Sequence, residues 1–300
     1  MNFKLRDNSM LFIEDFKNKS HEIRRNTLEM CVGAKKGHVT SCFSCTDILV
    51  ALYYGEVLKY KSSDPNWEDR DRFILSKGQA SPVLYNILAD VGFFDKSELK
   101  KFNKEGGMFA VHLQNDVPGV EITAGSLGQG YGVAAGLALG AKMNNQLHNV
   151  YALLGDGECY EGSIWETAMF ASHNRLNNLI TIVDRNYLCV TDFTENLISL
   201  EPFSKKWEAF GFNVIEIDGH SFSEIMDAFG HNRSRSFSKP TVIIADTVKG
   251  KGMDCLCYQP LWHGRAPSID MFAKICPSCD LHKDKCCGKN MNLDKIKKGI

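Results

Sequence analysis

The chain has 300 residues, enough for one large domain or two small ones, and its 44% hydrophobic content can fill a sizeable core. Lys plus Arg total 35 against 36 for Asp plus Glu, a formal net charge of -1, which argues against nucleic acid or an anionic membrane as the main partner. No uninterrupted apolar run approaches the roughly 20 residues of a bilayer-spanning helix, and the opening MNFKLRDNSMLFIEDF lacks a signal-peptide core. The 11 cysteines, an odd number scattered over a long chain, read as reduced thiols rather than a disulfide framework, so a cytoplasmic location is expected.

Helical spacing of charged and apolar residues predicts a first helix from Met10 to Ala34 and a second from about Thr46 to Leu58. The polar stretch SSDPNWEDRDR leads into a short apolar strand, Phe73 to Leu75. SKGQA then turns into a helix that runs to about Val91. From Phe102 to Thr123 no period is visible, and Gly106, Gly107, Pro118 and Gly119 mark a long ordered loop of the kind that tends to be functional. In AGSLGQGYGVAAGLALGAKM, small residues recur about four apart, so that a helix here admits another backbone closely.

Strands and helices then alternate. Strands are predicted at Val150 to Leu154, Leu179 to Asp184, Val214 to Ile217 and Thr241 to Ala245. Helices are predicted at Ser163 to Arg175, Pro202 to Phe210 and Phe222 to Phe229. The pattern implies an α/β fold, a central mostly parallel sheet with helices on both faces, whose ligands sit beyond the carboxyl ends of the strands. Residues 1–267 form the expected domain, and the Cys- and Lys-rich residues 268–300 an appendage.

The most specific stretch is GDGECYEGSIWETAMFASHNRLNNLITIVDRN. One strand ends in Gly155-Asp156-Gly157 and the next in Asp184-Arg185-Asn186, with one helix between them. Parallel strands joined in this way end on the same side of the sheet, so Asp156 and Asn186 can meet. A carboxylate, an amide oxygen and a nearby backbone carbonyl are hard oxygen ligands, suited to magnesium or calcium that also holds a diphosphate. The glycines let the backbone approach the phosphates, and a helix N-terminus favours their charge.

The stretch resembles the thiamine-diphosphate motif, which opens with GDG and closes with an Asn about thirty residues on, and its wording is similar to that of transketolases. DRFILSKGQASPVLY, PGVEITAGSLGQGYGVAAGLA, WEAFGFNVIEIDGHS, KPTVIIADTVKGKGM and LWHGRAP resemble further transketolase segments, in order, over about residues 10–267. The resemblance implies a thiamine-diphosphate-binding fold and transfer of a two-carbon ketol unit between sugars.

It further implies metal binding by Asp156, Asn186 and the carbonyl of Leu188, with cofactor contacts from Gln79, Gly125, Leu127, Gly155 and Gly157. His38, His112 and His263 match histidines around sugar and diphosphate, where an imidazole can donate or accept a proton near neutral pH. Glu161 matches an acid near the subunit interface that helps link active sites; an acid favoured by the start of a helix explains it equally well. His220 is read as a structural turn residue, and His21, His148, His173 and His231 carry no motif support.

Three departures stand out. Gln79 replaces a histidine of the family's SxGHA, GHPG becomes Gly37-His38-Val39-Thr40, and Phe193 replaces a glycine. Glutamine hydrogen-bonds but carries no proton at neutral pH, which points away from ordinary pentose phosphates to a specialised sugar, such as a biosynthetic intermediate.

Only 33 residues follow Pro267, too few for the second domain of a full transketolase. The expectation is therefore a split enzyme, two of each chain, whose partner carries the pyrimidine-binding domain and whose cofactor lies at the subunit interface. Cys276, Cys279, His282, Cys286 and Cys287 could form a zinc site or remain an unliganded tail. The rival functions are another thiamine-diphosphate enzyme component whose substrate is a 2-oxo acid, and a non-catalytic regulatory subunit that retains the fold.

Overall fold

The computed structural model describes residues 9–233, 238–268 and 270. The cysteine tail, with its zinc reading, and the side chain of His231 lie outside the described residues.

The helices are α1 (Ser9–Ala34), α2 (Val39–Tyr54), α3 (Ser81–Asp90), α4 (Gln129–Met143), α5 (Gly162–His173), the single turn α6 (Thr194–Leu197), α7 (Phe203–Ala209) and α8 (Phe222–Arg233). The strands are β1 (Arg72–Leu75), β2 (Val150–Gly155), β3 (Leu179–Arg185), β4 (Leu188–Cys189), β5 (Asp192–Phe193), β6 (Asn213–Asp218) and β7 (Thr241–Asp246). Five of the strands make one sheet in the order β1-β2-β3-β7-β6, every neighbour parallel, while β4 and β5 form a small antiparallel hairpin.

Side chains alternate across the sheet, as a period of two requires. Phe73, Leu75, Leu153, Ile180, Ile182 and Ile243 face one core, covered by α1, α2, α3 and α8. Ile74, Ala152, Leu154, Leu179, Val183 and Ile244 face the other, covered by α4, α5 and α7. Helices on both faces explain why β2 and β3 read as unbroken apolar runs rather than alternating ones. Trp207 of α7 anchors the second core, fully buried against Tyr131, Trp165 and Phe212.

The α/β architecture agrees with the sequence expectation. Both ends of α2 differ: it begins at Val39, not near Thr46. The run Val39-Thr40-Ser41-Cys42 has little intrinsic helix preference, but every one of its side chains is buried, and tertiary packing overrides propensity. The helix also ends earlier than Leu58, closed by Gly55 and by Glu56 at φ 55°.

Candidate functional site

Parallel alignment brings the carboxyl ends of β1, β2, β3 and β7 side by side, and one cleft opens there. Its wall includes Gln79 after β1, Gly155, Asp156 and Gly157 at the end of β2, Asn186 and Leu188 after β3, and Leu127 and His263 from separate loops. Eight of the sequence-predicted residues thus meet in one place. His38 and His112 join them, since the His38 ring lies 5.4 Å from His263 and 5.5 Å from His112. Gly125 packs beside His112; a Cβ there would stand 3.3 Å from the His112 Cγ. Glu161 is not in the cleft wall: it is the exposed N-cap residue of α5 and makes no side-chain capping bond.

Asp156 is 1% exposed. Its Oδ1 accepts from the Gly157 N–H at 2.8 Å, and its Oδ2 from the Tyr187 N–H at 2.5 Å and from Arg185 at 3.4 Å. Tyr187 can reach because it takes a left-handed φ of 63°, which turns the chain sharply after Asn186. Burial pushes the Asp156 carboxyl up, with the Arg185 charge opposing it. Asn186 Oδ1 accepts from the Leu188 N–H at 3.3 Å, and its amide donates to Asp184 Oδ2 at 3.2 Å.

The donor set of carboxylate, amide oxygen and carbonyl fits a hard divalent cation. Among the described residues no group of three or more His, Cys, Asp or Glu side chains is arranged to hold a metal.

Two buried lysines were missed by sequence reasoning. Lys249, after β7, donates to the Leu188 carbonyl at 3.0 Å, and burial together with the nearby Lys77 charge lowers its ammonium to about 8 while Asp156 resists. Lys77, after β1, donates to the Ser41 carbonyl at 3.1 Å and pairs with Asp184. Burial works against the Lys77 ammonium, but the charge and hydrogen bond of Asp184, together with Cys45 and Asp156, outweigh it and the net shift is upward. Two lysines lining one cleft suit a diphosphate. The signal for both was present in SKGQA and TVKGKG, but a lysine in a loop is normally a solvated one.

His38 and His263 are neutral. Burial lowers His38 to about 4, with His112 and Lys249 adding repulsion, and lowers His263 to about 3, with Lys249 and His38 adding theirs. The Nδ1 atoms of both are buried with no protein partner among the described residues, so each ring keeps a polar atom for something else. His220 is indeed structural: its Nδ1 bonds Asp47 at 2.6 Å and its Nε2 accepts the Val248 N–H at 2.9 Å.

The cleft encloses only about 90 Å³, well below the roughly 300–1,000 Å³ of a complete small-molecule pocket. Larger hollows of about 520 and 490 Å³ lie elsewhere on the chain and contain none of the predicted residues.

The chain is similar to known proteins along most of its length. The family described as "Transketolase, thiamine diphosphate binding domain" matches residues 17–273. The 6-deoxy-6-sulfo-D-fructose transketolase subunit of Clostridium sp. (strain MSTE9) is 40% identical over 79% of this chain and 86% of that protein. An apulose-4-phosphate transketolase subunit from Phocaeicola vulgatus is 35% identical, over 87% of this chain and 92% of that one. The transketolase of Homo sapiens is 37% identical over 88% of this chain, but the match spans only 42% of the human protein. Among solved structures, transketolase from Campylobacter jejuni superposes with a TM-score of 0.83 at 28% identity, covering 95% of this chain and 46% of that one.

Proposed function

The chain belongs to the transketolase family as its thiamine-diphosphate-binding domain, and on that premise we propose that it is the diphosphate-binding subunit of a two-component transketolase that transfers a two-carbon ketol unit between sugars. The observation that carries the reading is the meeting of Asp156, Asn186, the Leu188 carbonyl and Lys249 at the carboxyl ends of adjacent strands.

Asp156, Asn186 and the Leu188 carbonyl would hold Mg2+ or Ca2+, and Lys249 with the glycines at 155 and 157 would face the diphosphate. When bound, thiamine diphosphate supplies the electron sink for carbon–carbon cleavage. The protein orients the reactants and moves protons. Neutral His38 and His263, each with an unpaired Nδ1, supply hydrogen bonds to sugar hydroxyls without adding charge. His112 lies 5.5 Å from the His38 ring and joins the group.

The shallow cleft supports the need for a partner, because one chain provides one wall. Val133 on α4 and Met169 and Phe170 on α5, exposed at 42%, 55% and 43%, suit a docking face for that partner. On α4, Gly136 and Gly140 have nothing within 4 Å of where a Cβ would stand. The near-full-length match to two relatives named as subunits favours the split arrangement; in it we place the pyrimidine-binding domain on the other chain and two of each chain in the complex. The sugars in the names of those relatives favour an unusual sugar here, as does Gln79 in the cleft wall.

The test is calorimetric titration of thiamine diphosphate with Mg2+ into this chain, alone and mixed with its partner subunit. Binding that appears or tightens in the mixture and vanishes in Asp156→Ala supports the reading. A second reading, a regulatory subunit that binds without turnover, draws on Gln79 standing where a proton-carrying histidine is expected. Tight binding with no product across a panel of ketose donors and aldehyde acceptors would favour it.

A further inference from the structure

Glu158 is 2% exposed and follows Asp156 by two positions, in a short 3-10 turn at the end of β2. No role was read for it from the sequence. Its carboxylate joins three separate pieces of chain. Oε1 accepts from the Ser76 hydroxyl and from the Gly128 N–H at 2.9 Å, and Oε2 accepts from the Gly155 N–H at 3.1 Å.

Each piece carries part of the cleft. Ser76 directly precedes Lys77 and lies three positions before Gln79. Gly128 directly follows Leu127 and is the left-handed N-cap of α4, at φ 80°. Gly155 directly precedes Asp156. The pieces are also in tight contact: a Cβ on Gly130 would lie 2.7 Å from the Ser76 Oγ, and one on Gly128 2.7 Å from the Glu161 Cβ. Both glycine N–H groups can only donate, so each needs an acceptor oxygen, and one side chain offers both. Burial pushes the Glu158 carboxyl up, while these hydrogen bonds oppose that shift.

We propose that Glu158 is a positioning residue that sets the spacing of the cofactor cleft by tying the Ser76, Gly128 and Gly155 segments to one carboxylate. The proposal rests on the thiamine-diphosphate reading above. Glu158 acts through the groups it holds, not on the reacting atoms. A buried acid that merely stabilises the fold would make the same bonds but would leave the affinity of the folded protein unchanged.

The test uses Glu158→Gln and Ser76→Ala in the complex with the partner subunit. In Glu158→Gln an amide NH2 must face at least one glycine N–H that can only donate. The expected result is a loss of thiamine-diphosphate affinity on the order of tenfold, with a smaller loss in the same direction for Ser76→Ala. Turnover at saturating cofactor should stay within about twofold, and amide exchange at Gly128 and Gly155 should quicken in Glu158→Gln. If Glu158→Gln does not fold, Ser76→Ala decides. Unchanged affinity and unchanged exchange in the folded variants, beside a wild-type complex that binds, overturns this proposal alone. A wild-type complex that fails to bind thiamine diphosphate overturns the functional reading and this proposal with it.

Discussion

Arg24 grips Asp47 with two parallel hydrogen bonds, 2.9 Å to Oδ1 and 2.7 Å to Oδ2, in a pair almost closed to solvent. Burial works against the Asp47 carboxylate, but Arg24 and His220 outweigh it and hold its pKa well below the usual carboxylate range. Removing one partner of a buried pair strands the other charge, so Asp47→Asn should destabilise the chain by roughly 3–5 kcal/mol. The Asp47 contribution is fully present above the unfolded carboxyl value, near pH 4, and is lost as pH falls toward the depressed folded value. Urea unfolding at pH 7 and below pH 4 checks both points. An unchanged midpoint in Asp47→Asn would show that the pair contributes nothing.

The buried imidazoles make an independent prediction. His38 and His263 should stay neutral throughout pH 5–8, with midpoints at about 4 and about 3, read from ring resonances in nitrogen-edited NMR. An unfolded imidazole titrates near 6.5. Between that value and the folded midpoints the unfolded chain binds more protons, so stability falls as pH drops through this window. Midpoints near 6.5 would mean that the cleft is wetter than its geometry implies.

Gly78 lies against the loop that carries Gly125. A Cβ at Gly78 would stand 2.8 Å from the carbonyl carbon and oxygen of Ala124 and 3.0 Å from the Gly125 nitrogen. These are backbone atoms, so the loop has to move. Gly78→Ala should cost about 1–3 kcal/mol and weaken cofactor binding. Calorimetry and a melting curve of the same preparation would show both, and a melting temperature equal to wild type would contradict the contact.

Cys189 is a partly exposed free thiol in the cleft wall, next to the Leu188 carbonyl. Burial pushes its thiol up, with Asp156 adding to the shift and Lys249 opposing it. Alkylation by iodoacetamide at pH 7 should be slow, should quicken with rising pH, and should be blocked by thiamine diphosphate with Mg2+ in the paired complex. Peptide mass mapping reads the modification at this residue. Equal labelling with and without cofactor would place the ligand elsewhere.

Much of the molecule was legible in the chain itself. Apolar runs of strand length alternating with helical spacing determined a parallel sheet covered on both faces, and β2, β3 and β7 lie where that pattern puts them. That Asp156 and Asn186 reach one cleft was legible too, because one crossover helix between parallel strands leaves little freedom over where their ends fall. Tertiary structure decided what depends on contacts between distant segments. Lys249 reaches the Leu188 carbonyl across 61 positions, and Ser76 reaches Glu158 across 82. No local period records such meetings. Propensity misplaced the start of α2 because burial, not helix preference, holds Val39 to Cys42 in that helix. The charge states were decided in the same way: an imidazole or ammonium carries its ordinary pKa in sequence, and only burial and the charges folded around it set the shifts seen at His38, His263 and Lys249.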